Sequence, residues 1–233
     1  MKIEIKGTII SNDEKWMYDW FEMDSTAPRD IILPESNEPL EVMINSGGGD
    51  VFAGSEIYTM LKDYSGDVNI KVIGIAASAA SVIAMAGNKV EISPTAQIMI
   101  HNPWISTAGD HNDMRFTAEY LENWAVSLSN AYQLKTGKTK DELLQLMESE
   151  TWFNAQQAVE AGFADEVMFQ NTDAPKLVSS LTPVIPKNVM EKFAEKLNPD
   201  LDEIANKVIE KLNTETEKQE PQPENKGFAR FFF

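Results

Sequence analysis

At 233 residues, 42% hydrophobic and 24% charged, the chain has the composition of one ordinary domain with some length to spare. The absence of cysteine excludes disulfides, thiolate nucleophiles and cysteine-bound metals, and a formal net charge of -17 argues against a phosphate-binding surface for nucleic acid. No run approaches the roughly 20 apolar residues of a membrane helix, and MKIEIKGTIISND lacks the apolar core of a signal peptide, so neither membrane nor nucleic acid is expected as a partner and a cytoplasmic location is expected.

In chain order, IEIKGTII and LEVMINS are rich in β-branched residues and predict strands. KWMYDWFEM between them fits a helix by spacing and a strand by aromatic content. The glycines of INSGGGD are expected at a strand-to-helix turn, because VFAGSEIYTMLKDY can place Val51, Ile57, Met60 and Leu61 on one helical face. NIKVIGIA predicts a strand, ASAASVIAMAG a helix of small residues, NKVEI and AQIMI two further strands, and HNPW a loop. From Asn112 to about Glu148 the pattern is helical, with Phe116, Tyr120 and Trp124 four apart and a restart after LKTGK, where Thr139 and Glu142 have capping-box spacing. FNAQQAVEAGFADEV predicts a short helix closed by Gly162 and a last strand. Alternating strands and helices make the fold class α/β.

Residues 1–170 are expected to form the folded domain, and 171–188, with three prolines, a linker. Residues 189–233 are expected to form an acidic tail, partly helical through Leu201, Ile204, Val208 and Leu212 and partly disordered.

Three places in the domain carry chemistry. The run Gly47-Gly48-Gly49 lets backbone N–H groups approach an anion, yet neither the lysine of a phosphate loop nor the GxGxxG spacing is present, so a plain tight turn competes with an oxyanion hole. Ser78 falls at the start of a helix, where a capping role competes with a nucleophilic one; Ser81 is its rival three residues on, and there is no GxSxG elbow. With only two histidines, an imidazole base must be His101, at the end of a strand, or His111, in the polar stretch GDHND and expected to be exposed, and His101 is the better placed of the two. Neither an imidazole cluster nor carboxylates at ligand spacing point to a metal, and no cofactor is expected.

INSGGGDVFAGSEIYTML, GIAASAASVIAMAG, IMIHNPW and FNAQQAVEAGFADEV, in this order, resemble the ClpP serine peptidases over roughly residues 1–170. Within that family they are most similar to the head maturation proteases of tailed bacteriophages and prophages. The resemblance implies a ClpP/crotonase-like stack of ββα units, with residues 112–148 as a protruding handle helix that joins rings of a homo-oligomer. It also implies Ser78 as nucleophile, His101 as general base, and the N–H groups of Gly48 and Ala79 as the oxyanion hole. Where the family has aspartate as third member, this chain has Glu150 in ESETWFNA. Two further departures are Ala79-Ala80-Ser81, where the family has glycine soon after the nucleophile, and Gly47 in place of proline.

The function implied is ATP-independent serine endopeptidase action on capsid and scaffold proteins in the bacterial host cytoplasm. One alternative is a housekeeping-type proteolytic subunit with a Clp-type ATPase as partner; another is a crotonase-fold enzyme of CoA thioesters or a non-catalytic scaffold.

Overall fold

Alternation of side chains along the central strands decides which atoms meet inside the molecule. The computed structural model describes residues 1–170, so the expected linker and tail lie outside the described residues. Strand β1 (Lys2–Ile9) buries Ile3, Ile5 and Ile9, and β3 (Leu40–Gly49) buries Leu40, Val42 and Ile44 on every second position. Period two continues along β3, so Ser46 and Gly48 lie on the same inward face as those aliphatic residues. Strand β4 (Val68–Ala77) buries Val68, Ile70 and Val72 in the same way. The short β2 (Ser25–Thr26), β5 (Lys89–Ile92) and β8 (Glu166–Val167) complete the sheet path β2-β1-β3-β4-β5-β8, whose pairings are all parallel.

Strand β4 divides its partners. Its first part, Asn69–Val72, pairs with β5, whereas Ile75–Ala77 pair with β6 (Gln97–Ile100). β6 in turn pairs antiparallel with β7 (Thr151–Asn154). The fold is therefore α/β, as expected, and its sheet is mostly parallel, with one antiparallel pair beside the end of β4.

Three local features are decided by the fold. The glycine run is no turn: β3 runs to Gly49, with Gly48 opposite Thr8 and Gly49 opposite Ile9, and the turn reduces to Asp50. Asp50 caps helix α2 (Val51–Asp63), its carboxylate accepting from Ala53 N–H at 2.7 Å. The ambiguous aromatic segment is helix α1 (Lys15–Trp20), which buries none of its residues, so no core contact biased its pattern. TWFN forms a strand whose alternation is too short to separate, in sequence, from the helix that follows.

Helix α2 turns Ala53, Gly54, Ile57 and Leu61 inward, while α3 (Ala79–Ala84) is buried on every side. The two approach closely, since a methyl group on Gly54 would lie 2.9 Å from the Ala79 Cβ. Helix α4 (His111–Thr136) has 26 residues and spans ~39 Å at 1.5 Å per residue. Its buried residues, Ala125, Ser129, Ala131 and Tyr132, all lie in its second half. Phe116 and Tyr120 in the first half are exposed, stacked on each other at 6.3 Å. Gly137, at φ 71°, ends the helix in the left-handed conformation.

Helix α5 (Lys140–Glu148) begins with the expected capping box: Thr139 Oγ1 accepts from Glu142 N–H at 3.3 Å, and Glu142 Oε2 accepts from Thr139 N–H at 2.8 Å. Donation from the Thr139 hydroxyl, and then from its N–H, holds the Glu142 carboxyl below the usual glutamate range. A lowered folded pKa contributes stability above the unfolded value of 4.5, and that contribution is lost as pH falls through the folded pKa. Thr139→Ala is expected to lower stability by about 1 kcal/mol at neutral pH. The deficit narrows below pH 4.5 as wild type loses its own Glu142 contribution. Urea denaturation followed by circular dichroism at both pH values checks this.

Candidate active site

The site grows from the junction of β4 and α3. Ser78 occupies that junction with φ 55° and ψ -126°, a conformation that costs a non-glycine residue about 1–3 kcal/mol. Bonds on both sides hold it there. Ser78 N–H donates to Met99 O of β6 at 3.0 Å, and Ser78 O accepts from the N–H groups of Ser81 at 2.9 Å and Val82 at 3.3 Å. Although Ser78 is the N-cap residue of α3, its side chain makes no capping bond. The hydroxyl points instead to His101, with Oγ 2.7 Å from Nε2.

His101 follows β6 directly, two residues beyond the Met99 carbonyl that tethers Ser78. One short strand thus positions both partners. A half-buried serine hydroxyl at this distance can pass its proton to Nε2 when the ring carries its own hydrogen on Nδ1. Among the described residues, no other hydrogen bond reaches the His101 ring. His111 is exposed as the first residue of α4 and takes no part.

Glu150 comes near by register. Ile100 of β6 pairs with Thr151 of β7, so the residues one step beyond that antiparallel pair are His101 and Glu150. Its carboxylate is nevertheless directed elsewhere: Oε1 accepts from Trp152 Nε1 at 3.3 Å, and the residue is exposed at φ 45°. The structure therefore holds a serine–histidine dyad, with Glu150 adjacent in the backbone and not bonded to the imidazole. Glu148, at the end of α5, is exposed too.

The two oxyanion candidates also differ from each other. Ala79 is the first residue of α3, so its N–H has no intrahelical acceptor and remains available beside Ser78. Gly48 N–H is engaged: it donates to Ser46 Oγ at 3.1 Å, while Ser46 Oγ donates to Gly7 O at 2.6 Å. Period two explains this, because Ser46 and Gly48 share the inward face of β3. Gly48 instead makes room. At φ 94°, a methyl group there would lie 2.6 Å from Ala77 O and 2.7 Å from Ser78 Cβ.

Beside Ser78 and His101 a mainly apolar cleft is walled by Val51, Ser55, Val82, Pro103, Leu128 and Tyr132. A second apolar groove continues past Pro103 between Phe52, Trp104, Tyr120 and Trp124, where Phe52 meets Trp124 edge-on at 5.0 Å. Neither the Met99 carbonyl nor Ser46 stands out in the sequence. Main-chain acceptors carry no signal in residue type, and Ser46 would have been found only by extending the strand through the glycines.

An activatable hydroxyl, an adjacent imidazole and a free N–H at a helix start define the class: a serine hydrolase site on a mostly parallel α/β sheet. The Clp protease family model matches residues 31–171. The ATP-dependent Clp protease proteolytic subunit 2 of Tropheryma whipplei (strain Twist) is 32% identical over 142 residues, covering 59% of this chain and 79% of that protein. The ATP-dependent Clp protease proteolytic subunit of Streptococcus pneumoniae (strain Hungary19A-6) is also 32% identical over 142 residues, covering 59% and 72%. The chain belongs to the Clp protease family and is a ClpP-type serine peptidase.

Gly48→Ala is expected to reduce labelling of the site by a fluorophosphonate at least about a hundredfold, because Ser78 must shift. Gly47→Ala, whose methyl group meets nothing within 4 Å, should stay within about twofold of wild type.

Proposed function

We propose that the chain is the proteolytic subunit of a Clp-type endopeptidase in which Ser78 attacks the peptide carbonyl and His101 takes its proton, later returning it to the leaving amine. The 2.7 Å contact between Ser78 Oγ and His101 Nε2 is the observation that carries this reading. Ala79 N–H holds the oxyanion, and Gly48 joins it only by sharing the N–H now given to Ser46. Glu150 completes the triad by leaving Trp152 for His101 Nδ1, a reading supported by its register beside the imidazole. Glutamate can orient and stabilise an imidazolium as aspartate does, with one more methylene to place.

Both relatives are named as ATP-dependent proteolytic subunits, which favours a subunit of a homo-oligomer fed by a Clp-type ATPase. The exposed aromatic ridge of Phe116 and Tyr120 on α4 supports self-association through the handle. A second reading is ATP-independent processing of capsid and scaffold proteins during phage head maturation. It is favoured by the sequence from 172 to 233, which lies beyond the family match.

Ser78→Ala and His101→Ala are each expected to lower peptide hydrolysis at least about a thousandfold with the fold intact. Ser78→Ala with full activity would sink the assignment. Glu150→Gln should lower kcat at least about tenfold at nearly constant KM, and an unchanged kcat would remove Glu150 from the triad. Intact mass spectrometry separates the two settings. Degradation of a folded substrate only with a Clp ATPase and ATP supports the first, whereas defined cuts in a capsid scaffold without ATPase support the second.

A further inference from the structure

Ser81 and Tyr132 form a buried polar pair that the Ser78–His101 contact does not use. Ser81 is fully buried on α3, and Tyr132 on α4 is 1% exposed. Ser81 Oγ lies 2.6 Å from Ser78 O and 2.8 Å from the Tyr132 hydroxyl. A serine hydroxyl has one proton, and a carbonyl oxygen can only accept. Ser81 therefore donates to Ser78 O and must accept from Tyr132 O–H, which gives the chain of bonds one direction. Burial pushes the Tyr132 phenol far above its ordinary range, so it stays a donor throughout the working pH range.

The consequence lies in peptide geometry. Ser78 C=O and Ala79 N–H belong to one planar trans peptide and point in opposite directions, so whatever fixes the carbonyl also aims the N–H. The two N–H donors of the α3 first turn hold that carbonyl from the helix side, and the Ser81 hydroxyl adds a third bond, the shortest of the three. Each bond in such a chain also polarises the next, which strengthens Ala79 N–H as a donor.

We propose that Ser81 and Tyr132 are positioning residues that hold the Ser78–Ala79 peptide so that Ala79 N–H faces the oxyanion formed when Ser78 attacks. This rests on Ser78 being the nucleophile. It assigns to Ser81 a part in the same reaction through the Ser78 carbonyl, and it links the handle helix to the site, since Tyr132 belongs to α4.

Tyr132→Phe removes one oxygen and keeps the ring that packs edge-on against Phe163 at 5.8 Å. Ser81→Ala alone leaves a buried phenol without a partner, so the double variant Ser81→Ala/Tyr132→Phe, lacking both polar atoms, separates loss of the bond from loss of folding. On the full chain, Tyr132→Phe is expected to lower kcat for a fluorogenic peptide about tenfold with KM within about twofold. Affinity for a peptide boronate, which forms a tetrahedral adduct on the serine, should fall in parallel. The double variant should fall no further than Ser81→Ala, because both residues act through one carbonyl oxygen.

Fluorophosphonate labelling provides the other arm. Labelling of Ser78 in wild type, with kcat and boronate affinity unchanged in both Tyr132→Phe and the double variant, overturns the positioning role and leaves the nucleophile in place. Wild type that is not labelled at Ser78 overturns the nucleophile assignment and the positioning role with it.

Discussion

Everything in the site depends on the upper end of β4 leaving β5 and pairing with β6. That exchange brings the Met99 carbonyl under the Ser78 N–H, and the 3.0 Å bond fixes where the chain turns into α3. Two residues later the same strand releases His101 beside the serine hydroxyl. On its other edge β6 accepts β7, so Glu150 is delivered to the same corner. One four-residue strand thus sets the relative positions of three side chains that are 72 residues apart in sequence at the extremes, Ser78 to Glu150.

The corner is held in an unfavourable backbone conformation, and its surroundings explain why it persists. A positive φ at a serine costs about 1–3 kcal/mol, which several well-formed hydrogen bonds together can offset. Ser78 has its N–H bound to β6 and its carbonyl bound by three donors from Ser81 and Val82. The conformation in turn frees the hydroxyl from capping α3 and leaves it directed at His101 Nε2.

Small residues provide the space. Gly48 lies against Ser78 where no Cβ fits, and Gly54 against Ala79 where a methyl group would be too close. The small residues are needed because neighbouring segments pass close to Ser78 and Ala79. α4 has a divided character in the same spirit: its second half is packed into the domain through Ala125, Ser129, Ala131 and Tyr132, and its first half presents aromatic side chains outward. One helix thus carries exposed aromatic side chains at one end and, through Leu128 and Tyr132, part of the cleft wall beside Ser78 and His101 at the other.

Much of this was legible in the residues themselves. The β-branched runs LEVMINS and NIKVIGIA, the helical spacing after Asp50 and the Thr139 and Glu142 box after LKTGK all report on local forces, which the chain senses wherever it is. With two histidines and no cysteine, composition also narrowed the base to His101 or His111. Other features depended on partners far along the chain. Whether the glycines continue a strand was decided by Thr8 and Ile9, and that pairing placed Gly48 N–H on Ser46. Whether Glu150 faces His101 or Trp152 is a choice of side-chain direction at an exposed position, where several rotamers cost nearly the same. That Ser81 and Tyr132, 51 residues apart, share one bond appears only when α3 and α4 pack. The sequence by itself determined most of the long elements and the candidate residue types, because these follow from periodicity and chemistry; tertiary structure decided where strands end and which donors meet which acceptors, because a hydrogen bond between distant residues exists only in the packed chain.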